Sequence, residues 1–246
     1  MFASGNAGRP AYGLYQLAWA GLDWLYPPSC GGCGKSYTRW CVSCQDQVQR
    51  IHEIVCDACG KPLTTPGKCP DCLTTPPPYM ALRSWAKYSG PVREAILNLK
   101  YKGDISLGEV LSRPLIELVN QMSWRFDLVT PVPISLARKK ARGYNQASIL
   151  ALPIALGCAL TYQPSSLVKV KNTPSQVGLT AAQRRENVRQ AFQARPEIVR
   201  GRSVLVVDDV TTSGATMLAC AEALLRAGAL QVYGLTLARA TLENVV

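Results

Sequence analysis

Residues 204–207 form an unbroken apolar run, Val-Leu-Val-Val, that stops at two adjacent carboxylates, Asp208 and Asp209. A run without alternation predicts a strand enclosed on both faces, as strands are in parallel sheets. Beyond Gly214 the period changes to that of a helix. Met217, Leu218, Ala221, Leu224 and Leu225 fall on one face, and Gly228 is placed to stop it. The same alternation of patterns extends upstream. ALRSWAKYS, residues 81–89, predicts a first strand, and GPVREAILNLKYKGD, residues 90–104, predicts a helix turning Val92, Ile96 and Leu99 inward. Leu107, Val110, Leu111, Leu115, Leu118, Val119 and Met122 keep helical spacing past Pro114, a residue that disturbs a helix interior. DLVTPVP, LVKV and VYGLTLA supply further strands. Thr180 and Gln183 have the spacing of a capping box opening the helix AAQRRENVRQAF. Strands alternating with helices imply an α/β fold, a mostly parallel sheet flanked by helices.

The first 72 residues follow another pattern. AYGLYQLAWAGLDWLYPP is apolar, yet it holds Gln16 and Asp23 and ends in two prolines, too short and too interrupted for a membrane span. It lacks a basic leader and a small-residue cleavage site, so the expectation is an amphipathic helix packed on the body of a cytoplasmic protein. Eight of the ten cysteines then occur as four Cys-x2-Cys pairs, and the pairs form a repeat: CGGCGKSYTRWCVSC against CDACGKPLTTPGKCPDC. In a reducing compartment such pairs read as metal ligands rather than disulfides, and iron–sulfur proteins use other spacings. Four thiolates per ribbon suit two structural zinc sites, Cys30, Cys33, Cys41 and Cys44 in one and Cys56, Cys59, Cys69 and Cys72 in the other. Interleaved ligation, with the first and third pairs sharing one metal, is the rival arrangement; the repeat favours sequential sites. Ribbons this small bury little core, so the metal would hold them folded. His52, between them, reads as solvated, and Cys158 and Cys220 read as core residues.

LTTPPPYM marks a joint. The chain therefore divides into an N-terminal helix (1–29), a double zinc ribbon (30–72), a proline-rich linker (73–79) and a larger α/β domain (80–246).

Charge sharpens the picture. The net charge is +11, and residues 138–189 hold nine Lys and Arg against Glu186 alone, so that one region carries +8. Such concentration points to a polyanionic ligand, a pyrophosphate or a nucleic-acid backbone, more than to a scattered solvated surface. The acidic pair at the end of the apolar strand lies where open α/β sheets bind ligands. The hydroxyls after it feed a helix N-terminus, whose free N–H groups favour a phosphate. The carboxylates can take sugar hydroxyls or a magnesium-bound ligand. Together these features describe a site for a phosphorylated sugar.

VLVVDDVTTSGAT resembles the phosphoribosyl pyrophosphate (PRPP) motif of type I phosphoribosyltransferases. YPPSC before the ribbons, LKYKGD, PVP, ARGYNQA, RRENV with a following AF, and that terminal motif together resemble the ComF family, which includes GntX-like proteins and is named for bacterial competence. The resemblance implies a type I phosphoribosyltransferase fold behind the double zinc ribbon. It implies that Asp208 and Asp209 hold the ribose hydroxyls of Mg²⁺-bound PRPP while Thr211, Thr212, Ser213, Gly214, Ala215 and Thr216 wrap its 5′-phosphate. By the same resemblance Arg142 meets the pyrophosphate, and Lys171, Gln176, Arg184 and Asn187 belong to a hood over the site. Lys100 and Lys102 are weaker candidates. Position 169, often Arg in the family, is Lys here, which loses a bidentate fork. Pro153 predicts a kinked or shortened helix after RGYNQ. Hypoxanthine–guanine enzymes carry an Asp acting on the purine where this chain has Thr212, which disfavours that kind of purine salvage. Two functions follow from the resemblance. One is transfer of phosphoribose to an unidentified acceptor during DNA uptake and processing, alongside competence or DNA-processing partners. The other is a non-catalytic PRPP sensor that binds single-stranded nucleic acid.

Overall fold

The computed structural model describes residues 10–51, 54–171 and 190–240. Helix α1 (Pro10–Leu25) leads into the cysteine-rich segment, where α2 (Val42–Asp46) and α3 (Pro70–Thr74) each begin beside a cysteine pair. Then come β1 (Ala81–Lys87), α4 (Gly90–Leu97), one turn of π-helix (Asn98–Lys102), α5 (Leu107–Asn120) and β2 (Leu128–Pro131). They are followed by α6 (Leu136–Arg142), α7 (Gln146–Gly157), β3 (Thr161–Tyr162), β4 (Leu167–Lys169) and β5 (Phe192–Ala194). The last elements are α8 (Pro196–Val199), β6 (Ser203–Thr211), α9 (Ala215–Arg226) and β7 (Gln231–Arg239).

Five strands form one parallel sheet in the order β1-β7-β6-β2-β3. β6 lies at its centre, and Val204, Leu205, Val206 and Val207 are fully enclosed. Leu205 and Val207 face a core shared with α4, α5 and α7; Val204 and Val206 face the opposite core under α9. Each such side chain contributes about 2 kcal/mol by leaving water, so the unbroken apolar run is explained by two-sided burial.

Several elements depart from the sequence expectation. β6 does not stop at Val207 but carries both aspartates and continues to Thr211, because β7 goes on pairing with it there (Thr211 opposite Arg239) after β2 has ended at Pro131. LVKV forms β4, which leaves the main sheet and pairs antiparallel with β5. α7 runs twelve residues straight through Pro153. A proline frees the carbonyl four residues earlier, here Ile149, and that oxygen would stand 2.8 Å from a Cβ on Gly108 of α5. The missing side chain at Gly108 is what lets the two helices meet over the interrupted turn. α9 ends as its pattern predicts, with Gly228 at φ +93° just beyond it.

α1 forms, but with polarity partly reversed. Its two polar side chains turn inward, Gln16 donating to Glu109 and Asp23 pairing with Arg39, while Leu14, Leu17 and Trp24 are exposed. Tyr12, buried in the main core, anchors the helix. Arg39 also pairs with buried Glu109, donates to the Trp19 carbonyl and lies over the Trp19 ring. This network fastens the first ribbon and α1 to α5. Among the described residues no helix is long and apolar enough to cross a membrane.

The outer edge of β1 is covered by cysteine-rich backbone. Ile51 N–H donates to the Trp85 carbonyl, Lys87 N–H to Gln49 and Leu82 N–H to Ala58. A strand edge with bare N–H and C=O groups invites unwanted pairing, and this cover removes it.

Candidate functional site

The repeat seen in the sequence recurs as a repeat of hydrogen bonds. Cys30 N–H donates to Lys35 and Cys56 N–H to Lys61; Gly34 and Gly60 N–H return to Cys30 and Cys56. Both glycines sit at positive φ, +79° and +69°, where a side chain would be strained. Each half gathers its own four thiols: Cys30, Cys33, Cys41 and Cys44, then Cys56, Cys59, Cys69 and Cys72, with all sulfurs of a group within 4.8 Å. The arrangement is sequential, not interleaved. Cys30–Cys44 and Cys33–Cys41 sulfurs are 3.6 Å apart and Cys59–Cys69 3.7 Å. A tetrahedron of Zn–S bonds near 2.3 Å has edges of about 3.8 Å, so both groups fit zinc. Burial raises the Cys30 thiol, but N–H groups of Cys41, Gly32 and Cys33 outweigh it and bring it down to about 6. Cys56 is likewise brought to about 6, by Cys69, Cys59 and Ala58. His52 lies outside the described residues. Cys220 is buried as expected and Cys158 half-buried.

At the carboxyl end of the sheet a cleft of about 870 Å³ opens over β6. Asp208 and Asp209 form its floor, with Thr212 and Thr216 beside them. One wall is the π-helical turn, bringing Lys100, Tyr101 and Lys102; the other is the exit of β2 with α6, bringing Arg138 and Arg142. Lys169 and Phe192 of the small β4–β5 pair complete it, the ammonium 5.7 Å above the ring. A smaller recess adjoins, lined by Asp208, Thr211, Thr212, Gly214, Ala215 and Thr216.

The segment ARGYNQ is built to hold these walls. Gly143, at φ +86°, ends α6 after Arg142. Tyr144 donates to the Leu99 carbonyl inside the π turn, and Asn145 both caps α7 at Ala147 N–H and donates to the Val132 carbonyl. Arg142 bonds Gln146 and lies 5.6 Å over the Tyr101 ring. Tyr144 and Asn145 are therefore structural braces.

The floor is electrostatically divided. Asp209 is 4% exposed and ion-paired with Lys100. Burial alone would raise its carboxyl, but the Lys100 ammonium, with hydrogen bonds from Lys100 and Asp208, holds it below the usual range. Asp208 goes the other way: burial, then the Asp209 charge, push it well above the ordinary carboxylate value. Burial would lower Lys100, yet Asp209 raises it overall. Burial and the Arg138 charge lower Lys169.

Most of the expected site thus converges, with differences. Thr211 is a buried strand residue, Ser213 is exposed, and the loop proper is residues 212–214. Lys171 is exposed and does not line the cleft; Gln176, Arg184 and Asn187, with the Thr180–Gln183 box, lie outside the described residues. The residue most undervalued from sequence is Lys100. The signal was LKYKGD itself, a basic pair followed by a glycine at the end of the expected helix.

Comparison with known proteins agrees with this architecture. A family model described as a double zinc ribbon domain matches residues 21–73, and one described as a phosphoribosyl transferase domain matches residues 136–241. The DNA utilization protein YhgH of Escherichia coli O157:H7 is 32% identical over 225 residues, 88% of this chain and 96% of that one. Competence protein F of Haemophilus influenzae is 29% identical over 206 residues, 79% and 89% of the two chains. Competence protein ComFC of Bacillus subtilis is 27% identical over 209 residues, 81% and 83%.

Two measurements check the site. Elemental analysis of protein purified without added metal should find about two zinc ions per chain, and Cys33→Ser should remove about one, since each ribbon closes its own site. The second concerns Lys100. A depressed Asp209 contributes stability above the ordinary carboxylate range and loses it as pH falls through the lowered folded value. Lys100→Met strands that charge, so urea titration should show a loss of about 3 kcal/mol at pH 7 and a smaller loss near pH 4.

Proposed function

The chain belongs to the ComF/YhgH family, in which a double zinc ribbon precedes a phosphoribosyltransferase domain, and from that premise we propose that it binds PRPP with Mg²⁺ and transfers phosphoribose to an acceptor. The observation that carries the reading is the polarity of the cleft. Its floor is acidic and its walls are basic: Asp208 and Asp209 lie beneath Arg138, Arg142, Lys169 and Lys100, beside a recess closed by residues 212–216. PRPP has the matching order of groups, a diol between a monophosphate and a pyrophosphate.

In this reading Asp208 and Asp209 accept from the ribose hydroxyls, and Lys100 yields its place beside Asp209 as the sugar enters. The recess at the head of α9 takes the 5′-phosphate, where the positive end of the helix macrodipole favours an anion. The bond from the anomeric carbon to pyrophosphate breaks and a bond to the acceptor forms. Arg142, with Arg138 and Lys169, neutralises the departing pyrophosphate; Mg²⁺, when bound, would share that work. Acceleration then comes from position and electrostatics. Lys171, Gln176, Arg184 and Asn187 remain the proposed hood. The names of the relatives, DNA utilization and competence, support an acceptor met in handling incoming DNA.

A second reading has its own observation. Arg138, Lys139 and Lys140 are exposed along α6 with no base-reading motif, which suits the backbone of a single strand bound by a PRPP sensor.

Calorimetry separates these ideas from a bare structural site. Asp208→Asn with Asp209→Asn should weaken PRPP about tenfold or more, the scale of charge-assisted hydrogen bonds. Because Asp208 holds its proton unusually tightly, wild-type affinity should rise as pH climbs above the ordinary carboxylate range. Unchanged binding in the double variant rejects the assignment. For turnover, pyrophosphate release is followed across bases, amines and nucleic-acid fragments. Arg142→Ala should lower release roughly a hundredfold with little change in melting temperature. Tight PRPP binding with no release from any acceptor would favour the sensor.

A further inference from the structure

The two ribbons carry the same motif but are not docked alike. At Gly34 of the first, an added Cβ would meet nothing within 4 Å. At the equivalent Gly60 it would stand 2.3 Å from the Leu82 carbonyl oxygen of β1 and 3.6 Å from the Arg239 guanidinium. The second ribbon is pressed onto the sheet at that point. Arg83 strengthens the contact by donating to the Cys56 and Asp57 carbonyls.

Arg239 is the last residue of β7 and is 9% exposed. Its Nη2 donates to the carbonyl of Cys59, a member of the second thiolate group. Its Nη1 reaches the carbonyl of Thr212 at 3.5 Å, the first residue of the loop that closes the small recess. Tyr79 lies on the same path, buried, with its phenol oxygen 3.5 Å from the point where a Cβ on Gly214 would stand. Four thiolates around one Zn²⁺ leave two negative charges, which favours a guanidinium held beside them. One buried side chain therefore touches both the metal knuckle and the phosphate loop.

We propose that Arg239 is a positioning residue through which the second ribbon, and not the first, fixes the phosphate loop for its ligand. With the second ribbon closed on metal, the Cys59 carbonyl is held, Arg239 is held by it, and Thr212 is fixed at the mouth of the recess. Loss of that metal loosens Cys59, and the loop loses its brace although no residue of the cleft has changed. The consequence for PRPP rests on the function proposed above; the mechanical link does not.

The test uses the full chain with zinc measured in every variant. Arg239→Lys keeps the charge, but one ammonium cannot span both carbonyls. Arg39→Lys is the matched control, altering the arginine that docks the first ribbon. Cys72→Ser opens the second thiolate group directly. Hydrogen exchange at residues 211–216 reads the loop without PRPP, and calorimetry reads PRPP affinity. Arg239→Lys with both zinc ions retained, and Cys72→Ser, should exchange faster at 211–216 and bind PRPP about tenfold more weakly. Arg39→Lys should match wild type in both. Wild-type exchange in Arg239→Lys overturns the proposal, and if that variant sheds zinc, wild-type exchange in Cys72→Ser overturns it instead. A wild-type protein that ignores PRPP would reject the function, while the exchange data would still decide the link.

Discussion

A parallel sheet cannot leave the backbone of its edge strand bare without inviting aggregation, and in this protein β1 is such a strand. Its partner on the inner side is β7; on the outer side Gln49, Ile51 and Ala58 supply the missing hydrogen bonds. Ala58 lies within the second cysteine group, and Gln49 and Ile51 lie in the stretch between the two groups, whose own apolar clusters are small. The cysteine-rich segment therefore does more than gather eight thiols. Its backbone completes the sheet whose other end carries the cleft.

A second constraint acts at that other end. Two adjacent carboxylates inside a sheet are costly to keep ionised, and the structure resolves the cost unequally. The Lys100 ammonium beside Asp209 holds that carboxyl below the usual range, while burial and the Asp209 charge push Asp208 well above it. The floor thus sets a carboxyl that ionises readily beside one that gives up its proton less easily. Basic side chains contributed by three separate elements face this floor and outnumber its carboxylates.

The sequence made the central features legible where the signal was local. The apolar run of residues 204–207, the helix stop at Gly228 and the paired cysteines each depend on neighbours in the chain. Where the outcome depends on distant partners, the sequence was silent. β6 extends past Val207 because β7 goes on pairing with it at Asp208, Val210 and Thr211, and β7 is recognisable only as another strand. LVKV reads as a strand, but no local pattern discloses its antiparallel partner, a three-residue strand beyond a long interval. α1 turns Gln16 and Asp23 inward because Arg39 and Glu109 wait there, in a ribbon and in α5. Pro153 alone predicts a kinked or shortened helix, since the matching gap at Gly108 that accommodates it lies on a different helix.

The π-helical turn at Asn98–Lys102 has a bearing on how this chain can vary. Such a turn is an α-helix with one residue inserted, and the Leu99 carbonyl within it accepts from Tyr144. Within the same few residues Leu99 must point into the core while Lys100 points at Asp209. Deleting one residue there would restore a regular helix and rotate everything beyond it by about 100°, carrying the ammonium off the carboxylate. Surface loops elsewhere can gain or lose residues at little cost. This stretch has a fixed length, and related chains should align through it without gaps even where their side chains differ.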